Sequence, residues 1–122
     1  MTTADVSSDE MRELRLDYLR DVREKVELIR DHGKQLVSGK QFKIAFPALL
    51  FLSHQLKGSG GSLGYPRISE LASAMNGKLN AFLEEDRHPR LSPQELSVSI
   101  IAIGEQLDTE ISQAENALTP EK

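Results

Sequence analysis

Within the stretch HQLKGSGGSLG, residues 54 to 64, a histidine, a lysine and closely spaced glycines stand in an order that could do chemistry. A neutral imidazole is a nucleophile, and histidine is the side chain that changes charge near physiological pH. Lys57, three residues after His54, shares its side of a helix and sets a positive charge near whatever bonds to the ring. Gly58 and Gly61 stand one turn and nearly two turns after His54, where side chains would otherwise crowd the imidazole. A histidine, a cation and a cleared floor suit a phosphoryl group carried on an imidazole nitrogen.

Other uses of a glycine-rich stretch fit less well. A Walker-type phosphate loop needs G-x-x-x-x-G-K-[ST] after a strand, whereas here the lysine precedes the glycines and no strand is expected. The dinucleotide fingerprint G-x-G-x-x-G fails because, counted from Gly58, its last glycine falls on Leu63. A flexible linker would end the helix near Lys57, but the apolar pattern runs on through the glycines.

At about 100° per residue, Ala45, Leu49, Leu52, Leu56 and Leu63 fall on one side of a helix, with Ser59 and Gly60 at its margins. His54 lies opposite, flanked by Leu50, Phe51, Lys57, Gly58 and Gly61, with Pro47 below it. The core side is complete without Leu50 and Phe51, so these two, with Gln55 and Gly61, are expected to form a docking surface around the histidine. Each glycine inside a helix costs about 0.8–1.0 kcal/mol relative to alanine. Gly58, Gly60 and Gly61 therefore call for a reason other than helix stability.

The elements that must position this stretch read as four amphipathic helices. From about Asp9 to Val37, Met11, Leu14, Tyr18, Val22, Val26, Ile29 and Leu36 recur at helical spacing, with one gap, among charges of both signs, including the i,i+4 pair Asp21 and Lys25. A break at VSGKQ, residues 37 to 41, precedes a second helix that is expected to begin between Lys40 and Pro47, because proline suits a first turn better than an interior. A third starts near Pro66 and carries Ile68, Leu71, Met75, Leu79 and Phe82, ending before EDRHPRLS. In the fourth, Ser92, Pro93 and Glu95 form a capping-box signature, and Leu96, Ile100, Ile103, Leu107, Ile111 and Ala114 supply the apolar stripe.

No segment alternates with a period of two, and short connections between four amphipathic helices predict an all-α, antiparallel up-and-down four-helix bundle. The 122 residues suit one domain, with residues 1–8 and 119–122 expected as frayed tails. The net charge of −4 argues against nucleic acid. The absence of cysteine excludes disulfides, cysteine–zinc sites and a thiol nucleophile. The polar start and the short apolar run AFPALLFL point to a cytoplasmic protein with no membrane span. A monomer is expected, because the four helices can satisfy one another. His32 and His88 lack the surroundings of His54 and read as surface residues, with no metal site.

At His54, Leu56, Lys57, Gly58, Ser59, Leu63 and Gly64 the chain resembles the histidine phosphotransfer (HPt) domain of bacterial phosphorelays, whose signature is H-x-L-K-G-S-x-x-x-L-G. The likeness continues more weakly through YPRISELASAM, residues 65 to 75. It implies a four-helix bundle with His54 exposed on the second helix, accepting phosphate from a receiver-domain aspartyl phosphate or a sensor or hybrid histidine kinase. His54 then passes the group to another response-regulator receiver. By the same resemblance Lys57 steadies the phosphoryl oxygens and Gly58 admits the receiver. The resemblance also implies that the chain binds no cofactor of its own, Mg²⁺ being expected on the partner receiver, and that it acts as a carrier without kinase or ATPase activity. Pro47, Asn76 in a place often taken by an acidic residue, and the Gly60-Gly61 pair depart from the family pattern. A non-phosphorylated helical adaptor is the alternative. The phosphoacceptor region of a sensor kinase fits less well, since no HELRTP follows the histidine.

Overall fold

The helical periodicity is realised as four α-helices in the computed structural model, which describes residues 3–84 and 91–119, with side chains from Asp9 onward. They are α1 (Thr3–Gln35), α2 (Gly39–Ser62), α3 (Pro66–Leu83) and α4 (Pro93–Leu118). Cross-helix pairs set their directions. Tyr18, in the first half of α1, meets Ser59 near the end of α2. Phe46, early in α2, packs on Phe82 at the end of α3. Arg67, early in α3, faces Glu110, late in α4, and Ser97, early in α4, donates to the Gly33 carbonyl late in α1 at 2.6 Å. The result is an antiparallel four-helix bundle in which α1 and α3 both flank α2, and α4 closes the ring diagonally opposite it.

One apolar cluster occupies the centre. Val22, Val26 and Ile29 of α1, Leu49 and Leu56 of α2, Met75 and Leu79 of α3, and Ile100 and Leu107 of α4 are all essentially inaccessible. The cap of α4 is the one expected: the Ser92 hydroxyl accepts from the Glu95 amide at 3.1 Å while the Glu95 carboxylate accepts from the Ser92 amide at 2.8 Å. Asp21 and Lys25 pair as their i,i+4 spacing requires.

Three expectations need correction. α1 begins at Thr3, within the segment expected as a tail and ahead of Asp9. Its Met11 and Leu14 are exposed, at 45% and 54%. The reason is length: Arg15 and Tyr18 already reach the turn between α2 and α3, so the residues before them run past the end of the bundle. Leu19 occupies the core instead. α2 starts at Gly39, which leaves Pro47 inside the helix. Proline removes the amide that would bond to the Lys43 carbonyl; Lys43 and Pro47 lie on the exposed side, where water can serve that carbonyl. Leu50 is half-buried against the core and leaves less of its side chain open to a partner than Phe51 does. The expectations for His88 and for the last three residues lie outside the described residues.

The turn from α2 to α3 is built by glycine. Gly64 has φ +87°, the left-handed conformation that side chains disfavour. The Tyr65 amide donates to the Gly60 carbonyl at 2.7 Å and the Gly64 amide to the Gly61 carbonyl at 3.3 Å. That pairing is a Schellman ending, which satisfies carbonyls the helix end leaves open. Gly60 lies under the first turn of α3: a Cβ there would stand 2.8 Å from the Ser69 amide nitrogen and 3.1 Å from the Tyr65 carbonyl oxygen. Gly60 is thus the price of a close helix crossing and leaves no slack in α2. Gly60→Ala should lower unfolding stability by about 1–3 kcal/mol, because overpacking against backbone outweighs the helix-propensity gain of about 1 kcal/mol. Urea denaturation monitored by circular dichroism measures the change, and a stabilised variant would contradict the close-crossing role.

Candidate functional site

α2 separates into two sides. Ala45, Leu49, Leu52 and Leu56 are buried, while His54, Gln55, Lys57, Gly58 and Gly61 are exposed together with Phe51, which is 63% accessible. Leu63 caps the helix and is half-buried. Among the described residues the His54 ring and the Lys57 ammonium take part in no hydrogen bond or ion pair. Both are therefore available to an incoming group.

The floor beside them is open. A Cβ at Gly58 would meet nothing within 4 Å, and one at Gly61 only the Ser69 hydroxyl at 4.0 Å. Gly58 and Gly60 thus have two different explanations. Gly60 is required by packing inside the molecule, whereas among the described residues no packing contact requires Gly58.

Behind His54, on the side facing α3, polar side chains hold the helix. The Asn80 amide donates to the Asn76 carbonyl oxygen at 2.8 Å, the Asn76 amide to the Ser53 hydroxyl at 3.0 Å, and the Ser53 hydroxyl to the Leu50 carbonyl at 2.9 Å. One turn further on, the Ser69 hydroxyl donates to the Lys57 carbonyl at 2.7 Å. Ser53 is fully buried, so its oxygen needs these partners. The two contacts bracket His54 and fix the orientation of the segment between Pro47 and Gly58.

A third support comes from α1. The Tyr18 hydroxyl lies 2.8 Å from the Ser59 hydroxyl, and the Tyr18 ring stacks on Tyr65 with centroids 6.0 Å apart. The Arg15 guanidinium covers the Tyr65 ring at 5.9 Å. Burial pushes the Tyr18 hydroxyl above its ordinary pKa, and burial likewise raises Tyr65. Both phenols therefore stay protonated at neutral pH and serve as hydrogen-bonding and stacking groups.

Of the residues singled out by sequence, His54, Gln55, Lys57, Gly58, Gly61 and Phe51 come together on one exposed surface. Ser53, Ser69 and Asn80 were not anticipated, and Asn76 was noted only as a departure from a pattern. The available signal was Asn76 and Asn80 at i,i+4 spacing, next to the Met75 and Leu79 core stripe. His32 is half-buried and bonded to the Gln35 side chain at 3.1 Å. The described residues include no group of three His, Asp or Glu side chains that could hold one metal ion, and no helix among them is long and apolar enough to cross a membrane. A cavity of about 310 Å³ between Tyr65, Ile68 and Ala114 lies at the start of α3, away from His54.

Residues 13–117 match the family model described as the Hpt domain, a span running from α1 through nearly all of α4. No curated protein and no solved structure matches the chain. With a family match over most of its length and the four-helix bundle in place, the chain belongs to the Hpt-domain family, the phosphocarrier modules of two-component systems.

Proposed function

We propose that His54 is the phosphoacceptor, relaying a phosphoryl group between receiver-domain aspartates or from a histidine kinase. The observation that carries this is the pairing of an exposed imidazole with a glycine one turn away, neither of them engaged by a side chain among the described residues. The Nε2 lone pair of neutral His54 attacks the phosphorus of an aspartyl phosphate. The N–P bond forms as the P–O bond to the aspartate breaks, and the carboxylate leaves with the electron pair. The reverse step delivers the group to a second receiver.

Phosphoryl transfer depends mainly on positioning and charge. Lys57 supplies a cation beside the phosphoryl oxygens, and the Ser53 and Ser69 contacts limit the movement of the helix that presents the ring. Mg²⁺ is assigned to the receiver, where it supplies charge neutralisation. On this reading the chain is a carrier with no turnover of its own.

Receiver domains charged with acetyl phosphate and Mg²⁺ should pass one acid-labile, base-stable phosphate to the protein, located at His54 by mass spectrometry. His54→Gln should carry none. Label retained by that variant, or no transfer from any of a broad panel of receivers, would reject the assignment.

Gly58→Leu should keep the helical circular dichroism, because its Cβ enters open space. It should slow receiver-dependent transfer at least about tenfold by obstructing approach to the ring. Labelling of His54 by phosphoramidate, a small donor, should change by less than about twofold on the same positional grounds. Equal receiver transfer in variant and wild type would remove the access role from Gly58.

A further inference from the structure

Charge is distributed unevenly between the two helices that lie diagonally opposite. α2 carries Lys40, Lys43 and Lys57 and no acidic residue, in a chain whose net charge is −4. α4 carries Glu95, Asp108 and three further acids and no lysine or arginine. The acids of α4 are largely engaged within the fold. Asp108 and Glu115 receive Arg23 at 2.8 and 2.7 Å, Glu110 faces Arg67, and Glu95 closes the capping box. The lysines of α2 are not: among the described residues none of the three forms an ion pair.

Helix stability does not account for Lys40 and Lys43. Lys40 stands in the first turn of α2 and Lys43 one turn on, with no acid in that turn. A cation at a helix N-terminus opposes the macrodipole, and an acid there would be favoured. Both side chains are exposed and belong to the same row as Ile44, Pro47, Phe51, His54 and Gly58. Ile44 and Phe51 are 68% and 63% accessible, so the row has an apolar middle with lysines at both ends. From Lys40 to Lys57 it measures about 25 Å at 1.5 Å per residue. A roughly round patch of about 800 Å², one side of a standard protein interface, is about 30 Å across, so the row is long enough to span most of one.

Resting on His54 as the phosphoacceptor, we propose that the Lys40–Lys43 turn is a separate electrostatic recognition site. It selects partner proteins that present carboxylates about 20 Å from the phosphorylated aspartate, the distance spanned by the residues between Lys40 and His54. The exposed Ile44, Pro47 and Phe51 meet an apolar strip of the partner between those two points. At physiological salt the Debye length is about 8 Å, so the lysine turn acts on encounter and orientation and does not reach the reacting phosphorus. This distance separates partner choice from the transfer chemistry.

The test compares the wild type with the double variant Lys40→Glu/Lys43→Glu, whose new acids suit the start of a helix and should not unfold it. Phosphoramidate first loads His54, and discharge to a panel of purified receiver domains is then followed at low and high salt. Loading of the variant should equal that of the wild type. Discharge to the best wild-type acceptor should fall about tenfold at low salt, and the difference should shrink to about twofold near 0.5 M salt, as rim charges act mainly on association rate. Normal loading with equal, salt-independent discharge by both proteins would overturn the recognition site and leave His54 standing. Failure of the wild type to load or discharge would overturn the phosphoacceptor assignment itself. Lysine-dependent capture by vesicles containing phosphatidylglycerol, without a salt-sensitive receiver step, would assign the turn to a membrane and overturn the proposal.

Discussion

The hydroxyl of Ser69 on the Lys57 carbonyl and the amide of Asn76 on the Ser53 hydroxyl are the contacts on which the exposed face of α2 depends. α2 lacks one backbone hydrogen bond at Pro47 and has little intrinsic helix preference at Gly58, Gly60 and Gly61. The histidine sits between these two weak regions. α3 compensates from behind, and it can come close enough because Gly60 presents no side chain to the Ser69 backbone. Close packing at one glycine thus permits an open surface at another, two residues earlier.

Apolar burial and polar bracing divide the task. Leu49, Leu52 and Leu56 anchor α2 to the bundle through non-directional burial, which fixes which side of the helix faces inward. Directional hydrogen bonds at Ser53 and Lys57 then restrict sliding and rotation within that arrangement. α1 adds the Tyr18–Ser59 contact and the Tyr18–Tyr65 stack at the end of the motif. On the far side, Arg23 with Asp108 and Glu115, and Arg30 with Asp108, join α1 to α4. Arg23 is held above its ordinary pKa, first by its hydrogen bond to Glu115.

Helix number, the inward stripe of each helix and the exposure of His54 were legible because an apolar period of about 3.6 determines which side of a helix is buried. What period alone does not encode is how far neighbouring helices extend. Met11 and Leu14 continue the stripe of α1 perfectly well but have no bundle beside them. Pro47 was misleading for a related reason: a proline inside a helix is tolerable when its orphaned carbonyl faces solvent, and that depends on packing. Gly58 and Gly60 are the same letter two positions apart, yet one faces open space and the other a backbone amide. Hydrogen bonds such as Asn76 to Ser53 join residues on different helices, so they follow from interhelical register and leave no local trace. The family match at residues 13–117 supplies an identity that neither periodicity nor hydrogen bonding could supply.

The separation of α2 into a buried side and a solvent row also bears on how such a module can change over generations. Ile44, Phe51 and Gln55 are exposed, so their replacement leaves the burial of Leu49, Leu52 and Leu56 undisturbed. If that row meets the partner as proposed, mutations on it are filtered by pairing preference, and mutations on the buried side by folding. A duplicated copy can therefore diverge towards a new signalling route by drift along one helix ridge while the rest of the bundle remains under purifying selection.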